Sequence, residues 1–152
     1  MTKPAEQGAS GGQLRGRRIL VVDDEEDVRV YLSALLEDAG AEVIVAIDGE
    51  DGLTKATKEW PDLITLDLSM PGTDGVTAFA KLRQNPDTES IPVCIVTGHP
   101  EFRKLIYERP ERAPEGYLSK PIDESKLVAT IRRILGVRDR RTRAEAQRPA
   151  AR

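Results

Sequence analysis

The chain has 152 residues, 39% of them hydrophobic and 32% charged, with a formal net charge of -3. This balance excludes a disordered chain and fits one globular domain; no apolar run approaches the ~20 residues of a spanning helix, and the polar N-terminus lacks a signal-type apolar segment, so a cytoplasmic location is expected. The charge is uneven: residues 1–18 carry +3 and residues 138–152 carry +4, which leaves -10 on residues 19–137, a body suited to binding a cation and unsuited to nucleic acid.

Residues 1–16 mix Gly, Ser, Gln and charge without a period, and a flexible arm is expected there. The apolar run at 19–22 then ends on Asp23 and Asp24, the pattern of a buried strand terminating in carboxylates. Val28, Leu32, Leu35, Leu36 and Ala39 recur at helical spacing before Gly40, which predicts an amphipathic helix over about 26–39. Glu42–Ala46 reads as a second strand, and a short helix over 50–59 follows, ended by Pro61, with Trp60 covering the join to the next strand.

Leu63–Leu66 form a third strand that ends on Asp67. From Ser69 to Gly75 the chain is a cluster of turn formers that cannot continue a ladder. Val76, Phe79, Ala80 and Leu82 mark a third helix, stopped by Asn85 and Pro86, and the run at 91–96 is a fourth strand closing on Thr97. The single cysteine, Cys94, lies inside that run and reads as a small buried hydrophobe. Phe102, Leu105 and Ile106 fit about two helical turns, which Pro110 and Pro114 keep from extending. Tyr117 and Leu118 form a fifth strand ending in Ser119, Lys120 and Pro121. Leu127, Ile131, Ile134 and Leu135 give a last helix with Gly136 as its stop. The Arg-rich residues 138–152 read as a flexible tail, so the folded domain is expected over 17–137.

Strand and helix alternate five times, which implies parallel strands joined by right-handed crossovers in a doubly wound α/β sheet. All strand ends then point one way, and Asp23, Asp24, Asp67, Thr97 and Lys120 gather along the edge where such sheets bind ligands. Carboxylates brought together there repel unless a hard cation joins them, and Mg2+ takes one or two carboxylates plus other oxygens. Asp24, Asp67 and the backbone carbonyl of Ser69 are the expected direct ligands, with Asp23 acting through water. Lys120 offers a point charge to a phosphoryl oxygen, and Thr97 a neutral donor. These groups describe phosphoryl transfer onto Asp67 as nucleophile. No Gly-rich nucleotide loop of the Walker type is present, so the donor is expected to be a phosphoprotein or a small phosphodonor.

The segments VVDDE around Asp23 and Asp24, LDLSMPGTDG around Asp67, IVTG around Thr97 and GYLSKP around Lys120 follow one another over about 18–136. In that order they resemble the response-regulator receiver domain of two-component signalling. The resemblance implies a flavodoxin-like five-stranded parallel sheet in the order 2-1-3-4-5, Mg2+ as cofactor, and phosphorylation of Asp67 by a histidine kinase or phosphotransfer protein. It further implies a switch in which Thr97 moves toward the phosphoryl group and Tyr117 turns into the vacated space. The output face would comprise the fourth helix, fifth strand and fifth helix. His99 and Ser69, each two residues beyond a site residue, would flank the phosphoryl group and influence its lifetime.

The segment HPEFRKLIYERPERAP departs from the family pattern at the fourth helix. Too few residues follow Gly136 for a DNA-binding or catalytic output domain, so output is expected through contact with a downstream protein, homodimerisation or onward phosphotransfer, without a membrane. A receiver cut from a hybrid kinase or larger regulator fits the same residues, as does a phosphorylation-independent binding module. A metal-dependent phosphohydrolase would need a further general acid and a cap, neither of which is evident, so no enzyme beyond self-phosphorylation and dephosphorylation is expected.

Overall fold

The computed structural model describes residues 12–70 and 75–147, with side chains as far as residue 140. Its elements are β1 (Arg18–Val22), α1 (Glu26–Asp38), β2 (Glu42–Ala46), α2 (Gly49–Glu59), β3 (Leu63–Leu66), α3 (Gly75–Gln84), β4 (Val93–Thr97), α4 (Phe102–Tyr107), β5 (Gly116–Ser119) and α5 (Glu124–Gln147). The five strands form one parallel sheet in the order β2-β1-β3-β4-β5, the flavodoxin-like arrangement.

The sheet is covered on both faces because successive residues of its central strands feed two separate cores. Ile19 and Val21 of β1 face α1 and α5, where they meet Leu32, Leu36, Leu127 and Ile131. Leu20 and Val22 face the other layer, with Ile64, Leu66, Phe79, Ile95 and Ile106. The near-continuous apolar runs read in the sequence are thus strands buried on two sides. Asp48 caps α2 by accepting the Asp51 amide at 2.8 Å, and Glu26 and Asp27 place negative charge in the first turn of α1.

Several boundaries differ from the sequence expectation. Residues 1–11 of the predicted arm lie outside the described residues, but Leu14 is 1% exposed in the α1/α5 core, and its amide donates to the Ala39 carbonyl at 2.8 Å. The packed chain therefore begins before residue 17. Gly136 does not stop the last helix, which runs to Gln147. A helical glycine costs only about 1 kcal/mol relative to alanine, and the extension is held by an Arg17–Asp139 ion pair and by Arg138 donating to the Asp62 carbonyl at 3.2 Å. Residues 148–152 of the predicted tail lie outside the described residues. The fourth strand begins at Val93 instead of 91, since Ile91 donates to Thr88 in a turn and Pro92 has no amide to give. Trp60 adopts the left-handed conformation (φ 50) as the C-cap of α2 and is 69% exposed, so it does not cover the join.

The short α4 is followed by a connector fastened to α3 through one side chain. Arg83, whose side chain is 2% exposed, donates to the carbonyls of Arg112 (3.0 Å), Ile91 (3.1 Å) and Ala113 (2.9 Å) and to Glu115 Oε1 (2.8 Å). Glu115 also accepts the Val93 amide at 2.7 Å, so the same carboxylate ties the connector to the start of β4. Burial pushes the Arg83 guanidinium pKa down, against the hydrogen bond and charge of Glu115. Among the described residues no helix is long and apolar enough to cross a membrane.

Candidate functional site

Parallel register brings the strand ends to one edge: Val22 pairs with Leu66, Leu66 with Ile95, and Thr97 with Ser119. The ladder continues one residue further into the site. The Asp23 amide donates to Ala46, the Asp67 amide to Val22, and the Lys120 amide to Thr97, at 3.2, 3.1 and 3.0 Å. Each functional side chain is thereby fixed by its own backbone before any side-chain contact is made.

Gly75 sets the other wall. Its amide donates to the Leu68 carbonyl at 3.0 Å, and a Cβ there would lie 2.2 Å from the Asp67 carbonyl oxygen and 2.3 Å from Leu68 Cα. Only glycine lets the start of α3 approach the end of β3 so closely. Residues 71–74, which connect the two, lie outside the described residues.

Carboxylate oxygens of Asp23, Asp24 and Asp67 lie within 4.8 Å of one another. Asp23 and Asp67 are buried, at 1% and 4% exposure, while Asp24 is half-buried. Lys120 Nζ is 2.9 Å from Asp23 Oδ2, 3.7 Å from Asp67 Oδ2 and 3.8 Å from Glu25 Oε1. Burial opposes the lysine's charge, but the hydrogen bond to Asp23 and the charges of Asp67, Asp23 and Glu25 outweigh it and raise its pKa. Burial, and then the charge of Asp23, push the Asp67 carboxyl up; Lys120, the Ser69 amide and the Thr97 hydroxyl act in the opposite direction without cancelling them. One ammonium is thus shared among several carboxylates and leaves negative charge in a poorly hydrated place. The donors are all hard oxygens, so the cluster fits a hard divalent cation.

The remaining predicted residues lie close by in unequal roles. The Thr97 hydroxyl draws the Asp67 pKa down and accepts the His99 amide at 3.3 Å. Ser69 donates its amide to Asp67 Oδ1 at 3.3 Å. The exposed His99 ring lies at the rim, Nδ1 3.3 Å from Glu101 Oε2 and edge-on to Phe102. Tyr117, opposite Ile95 in the sheet, is half-buried against the core that holds Ile106 of α4.

Three residues were missed from sequence. Arg29 donates to the Asp23 carbonyl at 2.8 Å, although its position on the polar face of α1 marks it only as a surface residue. Glu25 donates its amide to Asp23 Oδ1 at 2.9 Å and adds charge near Lys120. Arg103 lies over the ring of Tyr117, at 4.8 Å from its centroid.

The family model of the response regulator receiver domain matches residues 19–132. Protein PilH of Pseudomonas aeruginosa is 38% identical over 118 residues, which cover 78% of this chain and 97% of PilH. Response regulator PleD of Caulobacter vibrioides is 42% identical over 116 residues, 76% of this chain but 25% of PleD. The chain therefore spans nearly all of one relative and a quarter of the other. The chemotaxis protein CheY4 of Vibrio cholerae superposes with a TM-score of 0.70 at 32% identity, covering 78% of this chain and 98% of CheY4.

Proposed function

The chain belongs to the response regulator receiver domain family, and from that premise we propose that it accepts a phosphoryl group on Asp67 from a histidine kinase or phosphotransfer protein and so switches a protein-interaction surface. The observation that carries this reading is the position of Lys120, hydrogen-bonded to buried Asp23 while its ammonium stands 3.7 Å from the Asp67 carboxylate.

In the reaction an oxygen of ionised Asp67 attacks phosphorus, an O–P bond forms, and the bond from phosphorus to the donor breaks, with the electron pair leaving on the donor. Lys120 is placed to hold one phosphoryl oxygen without a large movement. Thr97 donates its hydroxyl to a second phosphoryl oxygen. Asp24, Asp67 and the Ser69 carbonyl would hold Mg2+ directly, with Asp23 acting through water; when bound, the ion neutralises charge on the transferring oxygens. In the product, retraction of Thr97 toward the phosphoryl group opens space near Tyr117, and α4, β5 and α5 form the face read by a downstream protein or a second copy.

His99, held by Glu101, governs attack of water on the acyl phosphate. Its substitution by alanine should slow decay by about a hundredfold or more if the imidazole accepts the water proton, and an unchanged decay rate would remove it from the mechanism. The acceptor itself is located by reductive trapping. Borohydride converts an aspartyl phosphate to the corresponding alcohol, and peptide mass mapping should place that change at Asp67. Trapping at another carboxylate would refute the assignment.

A further inference from the structure

We propose that Arg103 is the positioning residue that latches Tyr117 of β5 to α4, and that this latch sets how readily the α4–β5 face responds to phosphorylation. The second half rests on the receiver reading above; the contact itself does not.

The guanidinium carbon of Arg103 lies 4.8 Å from the centroid of the Tyr117 ring and 5.2 Å from that of Tyr107, and the two rings are 6.1 Å apart with planes tilted by 41°. One cation therefore faces two aromatic rings, one at the end of the helix and one in the adjacent strand, and joins the two elements. Among the described residues no hydrogen bond competes for control of the strand ring: the buried Tyr117 hydroxyl has no partner there. An unpaired buried hydroxyl is costly, so the ring is held where it is by its other contacts and gains by leaving if they weaken.

The helix that carries the latch needs it. α4 has six residues, too few to be stable through its own ladder, and Ile106 is its one buried residue. The connector beyond it is fixed to α3 by Arg83, so α4 is tethered at its C-terminal side. At its N-terminal side, the amides of Phe102 and Arg103 donate back to the carbonyls of His99 and Pro100 at the rim of the site. The contact of Arg103 with Tyr117 thus bridges a fixed strand and a short helix whose start borders the phosphoryl-accepting edge. Lys or Met at this position would retain the stem, but neither presents a flat cation to both rings.

The test uses the full chain with Arg103→Met, Arg103→Lys, Tyr117→Ala and the double variant Arg103→Met/Tyr117→Ala. Arg103 is exposed, so its substitutions leave the cores intact; Tyr117 packs against the core that holds Ile106, so the effect of Arg103→Met is compared within each Tyr117 background. Without phosphodonor, amide hydrogen exchange over 102–119 should be about two- to fivefold faster in Arg103→Met than in wild type, the range expected for losing an exposed cation–π contact. Exchange in α1 should be unchanged, and Arg103→Lys should fall between. Uptake of phosphate from acetyl phosphate and Mg2+ should accelerate over the same range. In the Tyr117→Ala background most of both effects should vanish, which loss of helix propensity alone would not produce. Wild-type exchange in Arg103→Met, or its full effect persisting without Tyr117, overturns the latch. Altered exchange in a protein that takes up no phosphoryl group would instead overturn the receiver reading, and with it the latch's consequence at Asp67.

Discussion

The Lys120 ammonium is seated on Asp23, at 2.9 Å, and stands off from Asp67, at 3.7 Å. Asp23 thus supplies the strong charge-assisted bond that positions the lysine, and Asp67 Oδ2 keeps only a looser ion pair with it. The raised lysine pKa follows from this seat. Its stabilising contribution is fully present below the ordinary lysine value of about 10.4 and is lost as pH climbs through the higher folded value. Lys120→Met should cost about 3 kcal/mol at neutral pH by stranding buried carboxylates. In urea titrations the gap to wild type should narrow above about pH 10.5. A gap independent of pH would show that the lysine contributes packing alone.

The Asp67 carboxyl is shifted the other way for an acid, upward, by burial and by Asp23. Its protonated form is favoured in the folded state, so the stability it confers exists at acid pH and is lost as pH rises through the folded value. At neutral pH the metal-free protein should therefore be more stable as Asp67→Asn, by on the order of 1 kcal/mol. The advantage should disappear below about pH 4. Mg2+ should raise the melting temperature of wild type and do so far less in the variant. Equal Mg2+ responses would mean that the ion binds without Asp67.

Arg83 gathers three carbonyls and Glu115 in one buried guanidinium. Arg83→Leu leaves those acceptors unpaired and should cost about 3–5 kcal/mol in chemical denaturation. Hydrogen exchange should localise the loosening to residues 108–115. A loss under about 1 kcal/mol would show that water replaces the guanidinium without penalty.

Two glycines should respond to alanine with opposite signs. At Gly75 the new Cβ meets backbone of residues 67 and 68 at 2.2–2.3 Å, so Gly75→Ala should destabilise by about 2–3 kcal/mol and slow phosphoryl uptake by displacing the end of β3. At Gly136 the nearest neighbour is the Arg140 side chain at 3.6 Å within a continuous helix, and Gly136→Ala should stabilise by about 0.5–1 kcal/mol. Thermal melts of the two variants decide both signs. Destabilisation at Gly136 would show that α5 needs the flexible residue there.

The site was legible because the sheet translates a linear pattern into a place. Apolar runs that end on Asp23, Asp67, Thr97 and Lys120 can share an edge only if the strands are parallel and in register, which alternation with helices already implied. What escaped the sequence depends on pairs far apart in the chain. Gly136 looks like a helix stop because its own preference is local, whereas the anchors that carry α5 onward join residue 17 to residue 139 and residue 62 to residue 138. Leu14 is a single apolar residue in a polar stretch and shows no period. Arg83 works through backbone carbonyls, which have no residue identity to read, and Arg103 acts on rings contributed by two different elements.

The most direct test of the account is intact mass after incubation with acetyl phosphate and Mg2+, with Asp67→Ala as the control. One added phosphoryl group in the wild type, absent from the variant and from samples without Mg2+, is the predicted result. A folded wild-type protein that gains no mass, and that a phosphorylated cognate kinase also fails to modify, would contradict it and identify a binding module that works without phosphorylation.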